Sequence, residues 1–497
     1  MISPMVARAA RVGLLFVLVT SGWLVMMFAR TSYAQSDTLQ WSRAIPVSGA
    51  LAGSRYPSIV AEDNGNVFLF WGFIEPGTRS TIFVSKFDGA AWTRPVDILF
   101  GGPRVLATLD GRGTIRLMFQ SGENISLRDS NIHDATSVRG WTGGTNIDRG
   151  GANVLGDYAL DAQSNIYSVW FQGIPDCKEC YSIAYEKAGQ GIDTSLSYRV
   201  LSDSETPPQR RLQLLRTLSE TMYAMWDAPA NDPNKVGIEL TLSENGGETW
   251  LAEPRALAFT QEDIRQPLLI ADKNGALLLV YNFGDKDEVF YSTSTDRGTT
   301  WTEPTPIPGL FSSRENGEDN YFAAATDSAG NTHLIAPGRA AKTQVESGLY
   351  HVQWDGTAWS RAQEMYRGNT TVDYPAIAIG NGNRLHVSFA TSDRNPVGGS
   401  ADRTFQVWYT TAQTQAPAQT RVPLPTFTPV PTSTPQPEPT STASPTSTPT
   451  PLPLDPQVTA PVTGAVNTQE PIVIAIGVVI LVLVIVIGVN TLLRRRS

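Results

Sequence analysis

Between Trp41 and Trp359 a tryptophan-centred unit recurs at intervals of roughly 50 residues, a period that belongs to propellers and solenoids. The clearest copy reads Ser294-Thr295-Asp296-Arg297-Gly298-Thr299-Thr300-Trp301, and the next clearest Ser243-Glu244-Asn245-Gly246-Gly247-Glu248-Thr249-Trp250. Two shorter copies keep the glycine and the tryptophan, Asp88-Gly89-Ala90-Ala91-Trp92 and Asp355-Gly356-Thr357-Ala358-Trp359. Each reads as a hairpin turn. The Asp or Asn side chain accepts the turn's own N–H groups, glycine supplies a positive φ, and the tryptophan pins the next strand.

A second motif recurs out of phase with the first: an apolar strand, a polar turn, and another apolar strand ending in an aromatic. Arg55-Tyr56-Pro57 leads through Asp63-Asn64-Gly65-Asn66 to Trp71, and Arg265-Gln266-Pro267 through Asp272-Lys273-Asn274-Gly275 to Tyr281. Asp373-Tyr374-Pro375 leads through Asn381-Gly382-Asn383 to Phe389, and looser copies begin near Pro103, Val154, Arg210 and Asn320. The fold class is therefore all-β, a β-propeller of about seven four-stranded blades, with six or eight left open because the unit around Tyr198 lacks its tryptophan. A tandem array of small β-domains is the other architecture such a period allows. The last unit stops near Thr411, one strand short, and Trp41-Ser42-Arg43-Ala44-Ile45-Pro46-Val47 resembles the strand that follows the other tryptophans. An N-terminal strand is expected to complete the last blade and cover its open edge.

The ends divide the chain further. Arg8 and Arg11, an apolar run from Gly13 to about Phe28, and Ser32-Tyr33-Ala34 have the plan of a signal peptide over residues 1–34, with an uncleaved anchor as the alternative. The propeller ectodomain is placed at 35–412. Residues 413–471 are rich in Pro, Thr and Ser and cannot bury a core, so they are expected to form an extended stalk. The apolar run 472–493 is long enough for a single transmembrane helix. Arg494-Arg495-Arg496 in the tail 494–497 would then face the cytoplasm, with the propeller outside the cell. The stretch Leu452-Pro453-Leu454-Asp455-Pro456 is not a cell-wall sorting signal, so a retained membrane anchor is expected.

A formal net charge of −9 argues against a nucleic-acid partner. The two cysteines, Cys177 and Cys180, form a C-x-x-C segment for which a local disulfide is expected outside the cell. The four histidines, His133, His333, His351 and His386, show no metal-ligand spacing. Neither a metal nor another cofactor is expected.

The run Ser294–Trp301 resembles the Asp box, or BNR repeat, of sialidases and related propellers, and with its weaker copies the resemblance covers about Trp41 to Thr411. It implies the fold, because these turns also occur in propellers with other roles. Sialidases further share three arginines that hold the substrate carboxylate, a Tyr nucleophile paired with a Glu, and an Asp acid/base. Arg55 matches the first arginine, in Arg-Tyr-Pro where the family has Arg-Ile-Pro, and the repeats place Arg210 and Arg265 at equivalent strand starts. Three such guanidiniums ringing one funnel would suit an anion, since each donates paired hydrogen bonds. The alternative is that the Arg recurs only because the repeat does. Tyr321 and Tyr374 are the nucleophile candidates, Glu205 and Glu318 their candidate partners, and Glu75 the stand-in for an acid/base Asp that is missing.

The incomplete acid set favours a non-catalytic surface protein that binds a glycan, glycoprotein or surface polymer in its funnel, with Tyr56, Tyr321 and Tyr374 stacking on sugar faces. An exo-sialidase or related glycoside hydrolase tethered to the membrane is the second reading. A structural cell-envelope protein is the third.

Overall fold

The computed structural model describes residues 38–419 except 75–78, 148–152, 175–176, 178–179, 189–194, 205–210, 218, 230–235, 258–262, 314–321 and 394–402. The expected signal peptide, the stalk beyond residue 419, the apolar run 472–493 and the basic tail lie outside the described residues. Among the described residues no helix is long and apolar enough to cross a membrane, and the one helix is the short 3-10 turn Val138–Gly140.

The architecture is all-β, built from four-stranded antiparallel sheets in an arrangement consistent with a β-propeller. Counted as consecutive meanders, the described strands form seven such units. Their first strands are Ser54–Ala61, Val105–Leu109, Asn153–Leu160, Leu212–Arg216, Ile264–Ala271, Ala323–Thr326 and Thr370–Gly380. The fifth and sixth units are also joined, because Phe311 and Ser312 pair with Arg339 and Gly338. Arg339 seals that junction, fully buried, donating to the carbonyls of Ser312, Lys342 and Gln344 and to Asp287.

Each unit buries both faces of its sheet, which is why the second strands are apolar without alternation. Leu277–Phe283 (LLLVYNF) and Thr332–Arg339 are buried at every position. The core is accordingly a set of seams between neighbouring sheets. Phe70, Val84 and Ile98 of the first unit pack with Val105, Leu117 and Phe119 of the second, while Leu69 and Trp71 meet Val407 and Tyr409 of the seventh.

The tryptophan turns lie between the third and fourth strands and have the expected hydrogen bonds. Asp296 Oδ1 accepts from the Thr299 and Thr300 N–H groups and the Ser294 hydroxyl, and Ser294 Oγ accepts from Gly298 N–H at 2.8 Å. The Thr300 hydroxyl, followed by the Thr300 N–H and the Ser294 hydroxyl, pulls the Asp296 carboxyl down to about 2. Asn245 plays the same part for Thr249 N–H, and Asp88 and Asp355 each accept two N–H groups of the shorter turns. A second turn, between the first and second strands, marks all seven units with a positive φ, at Gly65, Gly113, Ser164, Glu220, Gly275, Gly330 and Gly382.

The N-terminal strand does complete the last sheet. Ile45 and Pro46 pair with Tyr409 and Trp408, outside Phe405–Gln413, Arg384–Asp393 and Thr370–Gly380. Val47 N–H donates to Val407 O, and Ser42 exchanges bonds with Thr411. The first and last units are thereby joined without a covalent link.

Packing at the seams sets the expected cost of truncation. Trp359→Ala removes a ring only 1 % exposed, and we expect a loss of about 3–5 kcal/mol in urea denaturation. Trp301→Ala, at a half-buried ring, should cost less.

Candidate functional site

First strands of a closed ring expose one backbone edge toward the centre, and that edge needs partners. Side chains supply them from the neighbouring unit. Ser58 Oγ accepts from Ala107 N–H at 2.9 Å, Asp157 Oδ2 accepts from Leu214 N–H at 3.0 Å, and Gln213 bonds both Leu269 N–H and Leu269 O. The edges enclose a central cavity of about 340 Å³ to which all seven units contribute.

One side of the cavity is aromatic. At the first, fifth and seventh units the strand slips register between Arg55 and Ser58, Arg265 and Leu268, and Asp373 and Ala376. Each slip is a bulge holding a proline, which has no N–H to give the ladder. The residue before that proline takes a positive φ, +56° at Tyr56, +55° at Gln266 and +51° at Tyr374. Such a conformation is strained for large side chains and persists where the surroundings impose it. Tyr56 and Tyr374 both line the cavity with ring centroids 4.2 Å apart. Gln266 instead accepts from Asn282 Nδ2.

The other side is polar. Arg104, Arg211 and Asp157 line it, and Asp157 is the one carboxylate among the described lining residues. Burial pushes the Asp157 carboxyl up, against the Leu214 N–H, the Arg211 and Arg104 charges and the Tyr158 N–H, all of which favour its ionised form. Arg211 is held at its backbone by Asp227, which accepts from its N–H at 3.0 Å. Among the described residues no hydrogen bond or ion pair holds Arg104, whose charge acts on Asp157.

The expected site residues distribute as follows. Tyr374 lies in the cavity. Arg55 does not line it; the guanidinium lies 4.2 Å over the Phe405 ring of the seventh unit. Arg265 pairs with Asp263 at 2.8 Å and is half-exposed outside the cavity lining. Arg210, Tyr321, Glu205, Glu318 and Glu75 lie outside the described residues. Cys177 and Cys180 are joined as a disulfide with their Cα atoms 5.4 Å apart.

Arg104, Arg211 and Asp157 were not singled out by the sequence. Their signal was weak but present: an Arg directly after Pro103, the second of a tandem Arg pair, and a lone Asp inside the strand NVLGDYAL.

No protein-family model matches the chain, and no curated protein matches it. Solved structures resemble it in fold at low identity. An ulvan lyase, a polysaccharide lyase bound to -[GlcA(1-4)Rha3S]-, is 10% identical with a TM-score of 0.50, over 73% of this chain and 95% of that one. A protein of unknown function from Dyadobacter fermentans is 14% identical, with a TM-score of 0.46 over 76% of this chain and 99% of its own. The NanB sialidase of Streptococcus pneumoniae is 13% identical, with a TM-score of 0.42 over 76% and 70%.

Because Asp157 accepts from both Leu214 and Tyr158 N–H, Asp157→Ala leaves two N–H groups without that acceptor. A loss of about 1–3 kcal/mol is expected by chemical denaturation, with Asp157→Asn, which keeps a carbonyl oxygen, losing less.

Proposed function

We propose that this protein is a surface-displayed, sialidase-like propeller that binds a glycan or surface glycopolymer in its central cavity without cleaving it. The observation that carries this reading is the pairing of two tyrosines in tilted ring contact with two arginines in one cavity. Aromatic faces accept the apolar face of a sugar ring, while guanidinium forks hold a carboxylate or sulfate group on it. The single carboxylate among the described lining residues already bonds the backbone of two neighbouring strands, an assignment that suits a structural acid. Glycoside hydrolysis ordinarily needs a pair of acids. The family resemblance of the tryptophan turns and the fold shared with a polysaccharide lyase support a carbohydrate ligand. Export by residues 1–34, a stalk at 413–471 and anchoring by 472–493 complete the proposal, with the propeller outside the cell.

The test is a glycan array probed with the detergent-solubilised full chain. Binding to a defined glycan set is expected. Arg104→Ala should weaken the acidic members by roughly tenfold or more, the usual worth of a hydrogen bond to a charged group. Tyr374→Ala should weaken the whole set. Turnover of a fluorogenic sialoside by the same sample would replace the binding reading with the hydrolase, and no binding to any glycan would leave the structural reading.

A further inference from the structure

The chain has four histidines, and three of them are buried at the two seams that flank the seventh unit, the one completed by the N-terminal strand. On the sixth-unit side, His333 and His351 are 0 % and 3 % exposed. Their rings stack with centroids 5.2 Å apart, and His333 Nδ1 lies 2.9 Å from His351 Nε2. His333 Nε2 reaches Asp327 Oδ2 at 3.2 Å. Against His351 stands the edge of Trp41, from the segment that closes the ring, at 5.4 Å. On the first-unit side His386 is 2 % exposed, with Nδ1 2.7 Å from the Tyr409 hydroxyl and Nε2 without a hydrogen-bond partner. A Cβ at Gly380 would come within 3.2 Å of that Nε2, so the nitrogen is tightly enclosed. The fourth histidine, His133, is exposed on the second unit.

We propose that the non-covalent closure of the ring is acid-labile. On this reading, protonation of His351 and His386 loosens the seventh unit and releases the N-terminal segment, Leu39 to Val47.

In the tautomers that satisfy the sixth-unit chain, Asp327 accepts from His333 and His333 accepts from His351. A further proton on His351 would stand against Trp41 in an apolar seam of Ile335, Leu349, Val372 and Phe389. A proton added to His386 leaves a charged N–H facing no acceptor. Burial, followed by the neighbouring His333, holds His351 well below the usual histidine range. Burial, with Arg384 adding to it, holds His386 down to about 4.

The other charged groups on the elements around the His333–His351 pair are Arg339, at the far end of His333's strand and paired with Asp287; Glu364, which pairs with Arg367; Arg43 on the N-terminal segment; Asp373 on the inner strand of the seventh unit; and Arg384 and Asp393 at the ends of its second strand, bonded to Gln413 and Thr404. Among the described residues Asp327 is the acid within hydrogen-bond reach of that pair. Around His386 they are Arg384, bonded to Gln413, and Glu62, Asp63 and Asp88, each engaged with its own or an adjoining turn.

The sign follows from linkage. His351 and His386 each have a lower pKa when the seam is closed than when it is open, so the open state binds more protons. Closure is at full strength above the free histidine value, weakens as pH falls through about 6.5, and levels off below the closed-state value. For His386 alone the opening equilibrium should rise roughly 30-fold between about pH 7.5 and about pH 5.

The experiment is hydrogen exchange of the full chain at those two pH values, corrected for the intrinsic rate. Peptides from 38–47, 348–354 and 384–413 are compared with 105–131 of the second unit. We expect opening to rise at least tenfold at the seams and little in the second unit. His351→Gln and His386→Gln should each lower that rise, most at the seam that loses its histidine, and the double variant should reduce it to a few-fold, while His133→Gln leaves it unchanged. An equal acid response in the second unit, or an undiminished response in both seam variants, would overturn the proposal. Should a seam variant fail to fold, the unmodified chain still decides, since a uniform acid response across the units is itself the negative result.

Discussion

The structure depends on ring closure. A four-stranded unit with apolar side chains on both faces has no stable form alone, because each face is covered only by a neighbour. Six of the seven junctions are also covalent connections along the chain; the seventh is made by side chains and a two-residue strand. Ladder pairing at Ile45 and Pro46 is brief, and the closing segment is held as well by bonds of Ser42, Val47 and Ser48 to Val407, Thr410 and Thr411 and by the burial of Leu39, Val47 and, in part, Trp41 against the seventh unit and its neighbours. That burial removes apolar area from water on both partners, which two ladder pairs alone would not.

Closure creates the cavity and also dictates its chemistry. The inner edges need hydrogen bonds that no further strand can give, so Ser58, Asp157 and Gln213 reach across to the next unit. These polar side chains are therefore part of the fold before they are part of any site. Asp157 shows the overlap most directly. Its bond to Leu214 N–H ties its strand to that of the next unit, a second bond goes to the adjoining Tyr158 N–H, and its charge faces Arg104 and Arg211.

What was legible in the sequence is what is local. The tryptophan turns could be read because their Asp, Asn, Ser and Gly residues bond within eight positions of one another, and the hydrogen bonds of Asp296 and Asn245 follow that reading. The missing fourth strand was legible as well, since a repeat that stops early leaves a countable gap. The arginines were not, because a side chain's direction in a strand depends on every inserted residue before it. Arg55 and Arg265 precede a bulge, and their side chains go to Phe405 and Asp263. Arg104 and Arg211 sit immediately before the unbulged strands Val105–Leu109 and Leu212–Arg216, and they line the cavity. An Arg-x-Pro motif thus marks the bulge, not the guanidinium that lines the cavity.

The two halves of the cavity stand in different relations to closure. Arg104 and Arg211 belong to the second and fourth units, within the covalently continuous part of the ring. Tyr56 belongs to the first unit and Tyr374 to the seventh, so their 4.2 Å contact spans the junction that no covalent connection makes. Arg55 over Phe405 spans the same junction. The positive φ at both tyrosines is a cost that the closed seam must hold in place, and separation of the two units would let both rings leave the cavity. Closure of the ring brings the aromatic half of the cavity together across one junction, whereas Arg104 and Arg211 come from units that follow one another along the chain.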